Sequence, residues 1–226
     1  MWAILVFAGF AAGLVNAIAG GGSLLSFPAL LLTGMSSVQA NATNTLAVWP
    51  GAVSSAWAYR SWIREERRRA LILAVPSAIG GLGGSWILLA TGDSLFDAIV
   101  PWLVLFACAL VALQGPIARR VAARRRSGSG LAAGLPDGDP GVSPAMWIAQ
   151  LLSAFYGGYF GAGMGIVMLA TIGILLPSSL QHANGLKLAC ALVINGVAAL
   201  WFLATGAASL PHAAVMAIAS IAGGWV

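Results

Sequence analysis

The chain has 226 residues, of which 60% are hydrophobic and only 8% are charged, whereas a soluble domain of this size usually carries about 25% charged residues. So few charges exclude a soluble enzyme, whose surface they could not cover, and a disordered chain. The net charge of +5 does not indicate a nucleic-acid partner, because the arginines form two clusters, at residues 60–69 and 118–126, that each follow a long apolar stretch. Such clusters are typical of cytoplasmic loops in an integral membrane protein.

Apolar segments of unequal length follow one another along the chain. A helix needs about 20 mostly apolar residues to span a bilayer, and two of the segments, 24–32 and 166–176, are too short to do so. Each of these two follows a glycine run that separates it from the apolar segment before it. The predicted segments are 2–19, 24–32, 38–59, 70–90, 95–117, 144–159, 166–176 and 184–204, with a last helix starting at Ala213.

The second half of the chain resembles the first when displaced by 143 residues. Ala40 and Asn41 then fall on Ala183 and Asn184, and the two glycine runs coincide. The stretch between the halves is rich in Gly, Pro, Ser and Asp, which predicts a flexible linker. We therefore expect a first transmembrane repeat over 1–126, a linker over 127–143, and a second repeat over 144–226 that is truncated relative to the first.

The arginine clusters also predict the relative orientation of the two halves. Residues 203–212, which correspond to the cluster at 60–69, contain no arginine or lysine. Parallel halves would place both stretches in the cytoplasm, and both would be expected to be basic. The pattern therefore predicts an all-α, polytopic membrane protein with inverted repeats, each beginning with a glycine-broken re-entrant segment.

The matched glycine runs are the strongest functional signal. Backbone N–H and C=O groups cannot stay unpaired in lipid, so a helix break at membrane depth lines a cavity or is covered by protein. The start of a helix favours anions, and glycine lets a ligand approach the backbone. An alternative, close helix packing through small residues, is favoured for Gly80–Gly84. The candidate binding residues in the two runs are Gly20, Gly21, Gly22, Ser23, Gly161, Gly163 and Gly165.

Polar residues at the start of the long segment in each half extend the candidate site. Asn41, Thr43 and Asn44 follow the first break, and Asn184 and Lys187 follow the second. Lys187 is the chain's only lysine, and a charge within a span is costly unless it has a function or reaches the interface. Both alternatives remain open here. Weaker candidates are Asn16 and Asn195, either of which could simply bridge two helices.

The sequence gives no indication of catalysis or of a metal. No Asp or Glu lies deep in a predicted span, which argues against a carboxylate relay for protons or cations. The two histidines and two cysteines are scattered, with no spacing typical of a metal site or a disulfide framework. A GxSG motif of the kind expected of an intramembrane serine protease is absent from the spans. We expect no enzyme activity, no metal and no cofactor.

These motifs together resemble the sulfite exporter (TauE/SafE) family of permeases. The run from Gly13 to Ser23 and the Ala40–Asn44 stretch resemble its N-terminal half, and the runs 158–165 and 184–187 resemble its C-terminal half. The resemblance implies an inner-membrane permease with two homologous halves that moves sulfite, sulfonates or related anions. The positions that match its motifs are Gly20, Gly21, Gly22, Asn41, Thr43, Asn44, Gly161, Gly163, Gly165, Asn184 and Lys187.

The sequence therefore predicts a secondary transporter of a small anion that works by alternating access. The resemblance implies that the anion is sulfite or an organosulfonate and that the membrane is the bacterial inner membrane. Both arginine clusters are expected on the cytoplasmic side. The partners expected are the anion and the lipid bilayer, with a homo-oligomer left open. Two alternatives remain at this stage: an anion channel with the same cavity, and a membrane scaffold that transports nothing.

Overall fold

The computed structural model describes residues 2–18, 21–126, 142–176 and 179–225, and every regular element among them is a helix. This confirms the predicted all-α class. The helices in chain order are α1 (Trp2–Ile18), α2 (Ser23–Leu31), α3 (Ser37–Ala58), α4 (Arg60–Glu65), α5 (Arg67–Arg126), α6 (Pro144–Tyr159), α7 (Met164–Leu175), α8 (Leu180–Ala204) and α9 (Leu210–Trp225).

The helices differ from the predicted segments at several places. Residues 60–69 were expected to be a loop, but they form α4 and the start of α5. Residues 118–126 were also expected to be a loop, but they form the end of α5. By contrast, the predicted turn at 91–94 is confirmed, because a kink at Gly92, whose φ of 70° and ψ of 171° suit glycine alone, divides α5 into two helical parts. The start of α8 is Leu180 rather than Asn184, because the Ser179 hydroxyl caps the helix by accepting from the backbone N–H of His182. Most of the predicted linker lies outside the described residues.

The first helix of each half packs against a helix from the other half. In α1, a Cβ added at Gly13 would lie 2.2 Å from the carbonyl oxygen of Ser220 in α9. In α6, a Cβ added at Gly158 would lie 2.2 Å from the carbonyl oxygen of Gly81 in α5. The backbones can approach this closely because no side chain intervenes. Part of the glycine excess therefore serves to join the two halves.

The central helices α3 and α8 run antiparallel. Directly after α3, Glu65 of α4 places Oε2 2.7 Å from Nε2 of His182, in the first turn of α8. At the opposite end, the N–H of Ser209, just beyond α8, donates a 2.9 Å hydrogen bond to Oγ1 of Thr43, near the start of α3. We call the end that carries α4 the basic end. The other end, where Asp93 beside Gly92 accepts from the backbone N–H of Val38, is called the hinge end.

Two of the described helical stretches are long and apolar enough to cross a membrane, Arg67–Leu113 within α5 and all of α8. Shorter apolar helices are found at Trp2–Asn16, Met164–Leu175 and Leu210–Trp225. Large apolar side chains of α1, α5, α8 and α9 are exposed, as lipid-facing side chains are in a membrane protein. The short helix pairs α1–α2 and α6–α7 each pack against the long helix that follows them, and this arrangement positions the site.

Candidate functional site

A cavity lies where the two broken helix pairs meet the two long central helices. Its volume is about 40 Å³, which is several times the space that one buried water requires. The two helix breaks and one face each of α3 and α8 form its wall, which contains both polar and apolar side chains. The lining residues are Asn16, Ser23, Thr45, Val48, Ala52, Ser55, Gly157, Phe160, Gly161, Met164, Gly165, Lys187, Leu188, Ala191 and Asn195.

The cavity lies along the middle of both central helices. From α3 it receives residues between Thr45 and Ser55, and from α8 it receives residues between Lys187 and Asn195. Because α3 and α8 are antiparallel, Ser55 and Lys187 border the cavity on the side of the basic end. Thr45 and Asn195 border it on the side of the hinge end.

The starts of two short helices border the cavity. Ser23 is the first residue of α2, and Met164 and Gly165 are the first two residues of α7. The first turn of a helix presents backbone N–H donors and the positive end of the helix dipole. The starts of both short helices therefore favour an anion in the same cavity.

Lys187 places its amino group in this space, where it adds a positive charge when protonated. Its side chain is 1% exposed, and its Nζ has no hydrogen-bond partner in the described part of the chain. This amino group lies seven residues after the start of α8 and is enclosed by protein, so it does not reach the surface of the molecule. None of the described residues that line the cavity is Asp or Glu. An ammonium held in a low-dielectric site without a counterion is costly, and a bound anion would offset that cost.

The cavity brings together four of the residues predicted from the sequence: Ser23, Gly161, Gly165 and Lys187. The two weaker candidates, Asn16 and Asn195, line it as well. Asn16 also stabilises the first break, since its Oδ1 accepts a 2.9 Å hydrogen bond from the backbone N–H of Gly22.

The other predicted glycines lie beside the breaks rather than on the cavity wall. A Cβ at Gly21 would lie 3.1 Å from the Val111 side chain, and one at Gly163 would lie 3.3 Å from Leu110. Both neighbours belong to the part of α5 after its kink, which therefore covers both helix breaks. Gly20 lies outside the described residues.

The predicted polar residues of α3 contact protein groups. Asn41 donates to the Tyr159 carbonyl, Thr43 accepts from Ser209, and Asn44 Oδ1 accepts from the hydroxyl of Ser26 in α2. None of the three lines the cavity. The last predicted residue, Asn184, is half-buried and does not line it either, although its Oδ1 has no partner among the described residues.

Sequence reasoning missed several residues of the cavity wall, including Thr45, Ser55 and Phe160. A usable signal existed for α3, where Thr45, Val48, Ala52 and Ser55 follow one another at intervals of three or four residues on one helix face. No comparable signal indicated Phe160, which follows the last helical residue of α6.

Comparison with known proteins identifies the family. The model of the family "Sulfite exporter TauE/SafE" matches residues 5–226, nearly the whole chain. The chain belongs to the sulfite exporter TauE/SafE family. This confirms the resemblance found in the motifs, and it makes the chain an integral membrane protein of a transporter family rather than of an enzyme family.

Curated relatives carry similar descriptions. A "Probable membrane transporter protein" of Haemophilus influenzae is 32% identical over 80% of this chain and 68% of its own length. "ORF9" of a Sinorhizobium species, with the same description, is 29% identical over 76% of this chain and 63% of its own length. The Escherichia coli K12 relative YfcA is 27% identical over 80% of this chain and 64% of its own length. The chain thus spans about two thirds of the length of the curated relatives that it matches. No solved structure matches it significantly.

Proposed function

We propose that this TauE/SafE chain carries a small oxyanion, sulfite or a related sulfonate, across the membrane by alternating access, with Lys187 as the charge partner. The observation that supports this most directly is the buried ammonium of Lys187, which lines the cavity and has no hydrogen-bond partner in the described part of the chain. A bound anion would supply the missing counterion. Asn16, Ser23 and Asn195 would supply hydrogen bonds around it.

The charges around the cavity favour a doubly charged ligand. Lys187 contributes one positive charge, and the starts of α2 and α7 contribute about half a charge each. The total of about two matches the sulfite dianion, and no carboxylate among the described lining residues reduces it. A cavity of about 40 Å³ favours an inorganic oxyanion over a long organosulfonate. Of the remaining candidates predicted from the sequence, the paired glycines would let the anion approach the backbone. The residues Asn41, Thr43, Asn44 and Asn184 do not line the cavity and would act on the anion only indirectly.

Alternating access requires two halves that can move against each other. The proposed halves are 1–126 and 144–226, joined by the linker 127–143, with the basic end on the cytoplasmic side. The antiparallel course of α3 and α8 supports an inverted relation between them. So does the exchange of packing partners, in which α1 contacts α9 and α6 contacts α5.

Sulfite counterflow in proteoliposomes tests this function. Vesicles loaded with unlabelled sulfite should accumulate labelled sulfite, because a carrier exchanges its substrate across the membrane and a channel does not. Lys187→Met keeps the length of the side chain and removes its charge, and it should lower the exchange rate at least tenfold. The matched control Arg64→Met removes an exposed charge from α4 at the basic end and should retain the exchange rate of the unaltered protein.

Three results would contradict the proposal in different ways. Exchange that is unaffected by Lys187→Met would exclude this residue as the charge partner. Sulfite flux without counterflow would indicate a channel instead of a carrier. No flux of sulfite, sulfate, thiosulfate, sulfoacetate or acetate would favour a membrane scaffold that transports nothing.

A further inference from the structure

One aromatic side chain of the cavity wall, Phe160, also packs against aromatic rings outside the cavity. Phe160 is 3% exposed and lines the cavity. Its ring packs edge-to-face against Phe27 of α2, with centroids 5.5 Å apart and planes at 84°. It also packs against Phe96 of α5, at 6.3 Å and 61°. We call Phe27, Phe96 and Phe160 the aromatic layer.

The aromatic layer lies between the cavity and the hinge end. Phe96 follows the Gly92 kink by four residues, and the kink marks the hinge end. The residue before Phe160, Tyr159, is held through its carbonyl oxygen by Asn41, near the hinge-end start of α3. The cavity itself extends from this level toward the basic end. A path from the cavity to the hinge-end surface therefore meets these three rings first.

The two halves of the chain differ at these positions. Displaced by 143 residues, the positions equivalent to Phe160 and Phe27 are Ala17 and Ala170. In the sequence, alanine therefore takes the place of phenylalanine at both equivalent positions.

We propose that the aromatic layer is the gate that separates the anion cavity from the solution at the hinge end. Three phenylalanine side chains, each at most 3% exposed, offer no hydrogen bonds to a hydrated anion and fill the path between helices of both halves. Separation of Phe96 from Phe160, as α5 moves about Gly92, would open the path. The assignment of the cargo rests on the proposed function, whereas the position of the barrier does not.

The accessibility of a cysteine in the cavity tests the gate without any substrate. In a background with Cys108→Ser and Cys190→Ala, the substitution Ala191→Cys places a reporter thiol on the cavity wall. A membrane-impermeant maleimide is then added from one side at a time, to cells and to inverted vesicles. Markers at Gln39→Cys and Ser61→Cys, exposed near the hinge end and the basic end respectively, identify the accessible side.

With the aromatic layer intact, we expect the reporter to react from the basic-end side only. Phe160→Ala should raise its labelling rate from the hinge-end side at least tenfold. The matched control Phe155→Ala removes the same side chain from the exposed face of α6 and should leave that rate unchanged. Phe27→Ala gives a second opening in the same layer if Phe160→Ala does not fold, as judged by elution of the purified protein on size exclusion.

The proposal is overturned if the folded Phe160→Ala or Phe27→Ala protein labels no faster than the control from the hinge-end side. That result would leave the transport proposal intact if Lys187→Met still abolishes sulfite exchange. Conversely, the reporter could be labelled faster from the hinge-end side while Lys187→Met leaves the rate of sulfite exchange unchanged. That result would support the gate and refute the proposed anion site.

Discussion

The side-chain amide of Asn41 in α3 donates a 2.8 Å hydrogen bond to the backbone carbonyl oxygen of Tyr159, at the end of α6. The last carbonyl groups of a helix have no partner within it, and this one is next to the second helix break. One amide from the first half therefore supports the broken segment of the second half. The contact also fixes Phe160, the next residue, at the cavity wall.

Replacement of Asn41 by leucine should destabilise the protein. The substitution leaves the Tyr159 carbonyl without its donor, and an unsatisfied buried polar group costs about 1–3 kcal/mol. Thermal unfolding of the purified protein in detergent should therefore shift to lower temperature. The control Gln39→Leu makes the same chemical change at an exposed position two residues earlier and should shift unfolding little.

A different result would support the anion-binding role that the sequence predicts for Asn41. If Asn41→Leu unfolds at the same temperature as Gln39→Leu but no longer exchanges sulfite, the amide acts on the anion instead of on α6. Measurement of both properties on the same preparation separates the two roles.

The sequence predicts those residues of the candidate site whose burial in a bilayer costs free energy. A lone lysine in an apolar stretch and a glycine run between short helices both violate what lipid tolerates, so Lys187 and Gly161 could be identified without a structure. The partners of Asn41 could not, because an amide in a helix start suits a ligand or a carbonyl equally well. The carbonyl that it contacts is 118 residues away in sequence.

The aromatic layer shows the same limit. Its three phenylalanines come from α2, α5 and the end of α6, and no periodicity links positions 27, 96 and 160. Phenylalanine is common in membrane helices, so each one alone predicts only an apolar environment. Their contact depends on the tertiary packing of both halves, which local sequence patterns do not encode.

Two adjacent glycines in α5 should respond in opposite ways to alanine. A Cβ at Gly84 would lie 2.1 Å from the carbonyl oxygen of Phe155 in α6, so α5 and α6 would have to separate. At Gly83 the same Cβ would meet only the Phe155 ring, at 3.6 Å or more, which is ordinary contact. We expect Gly84→Ala to lower the yield of folded protein and its unfolding temperature.

The Gly83→Ala variant is the matched control for this packing. In a helix, alanine is favoured over glycine by about 0.5–1 kcal/mol, so Gly83→Ala should be as stable as the unaltered protein or slightly more so. Equal destabilisation by the two substitutions would show that the small-residue contact between α5 and α6 does not determine stability.

Removal of the Lys187 charge should stabilise the anion-free protein while it abolishes anion binding. Lys187→Met replaces a buried ammonium that lacks a hydrogen-bond partner among the described residues with an apolar chain of similar length, so the cost of burying the charge disappears. In buffer without small oxyanions, Lys187→Met should therefore unfold at a higher temperature than the unaltered protein, whereas the exposed control Arg64→Met should not.

Added sulfite should reverse this order. A ligand that binds only the folded state stabilises it by about 2.7 kcal/mol at one hundred times its Kd, so sulfite should raise the unfolding temperature of the unaltered protein and of Arg64→Met but not of Lys187→Met. A Lys187→Met protein that is less stable than the unaltered one without sulfite would mean that the ammonium already has a stabilising partner. A Lys187→Met protein that sulfite still stabilises would place the anion elsewhere in the molecule.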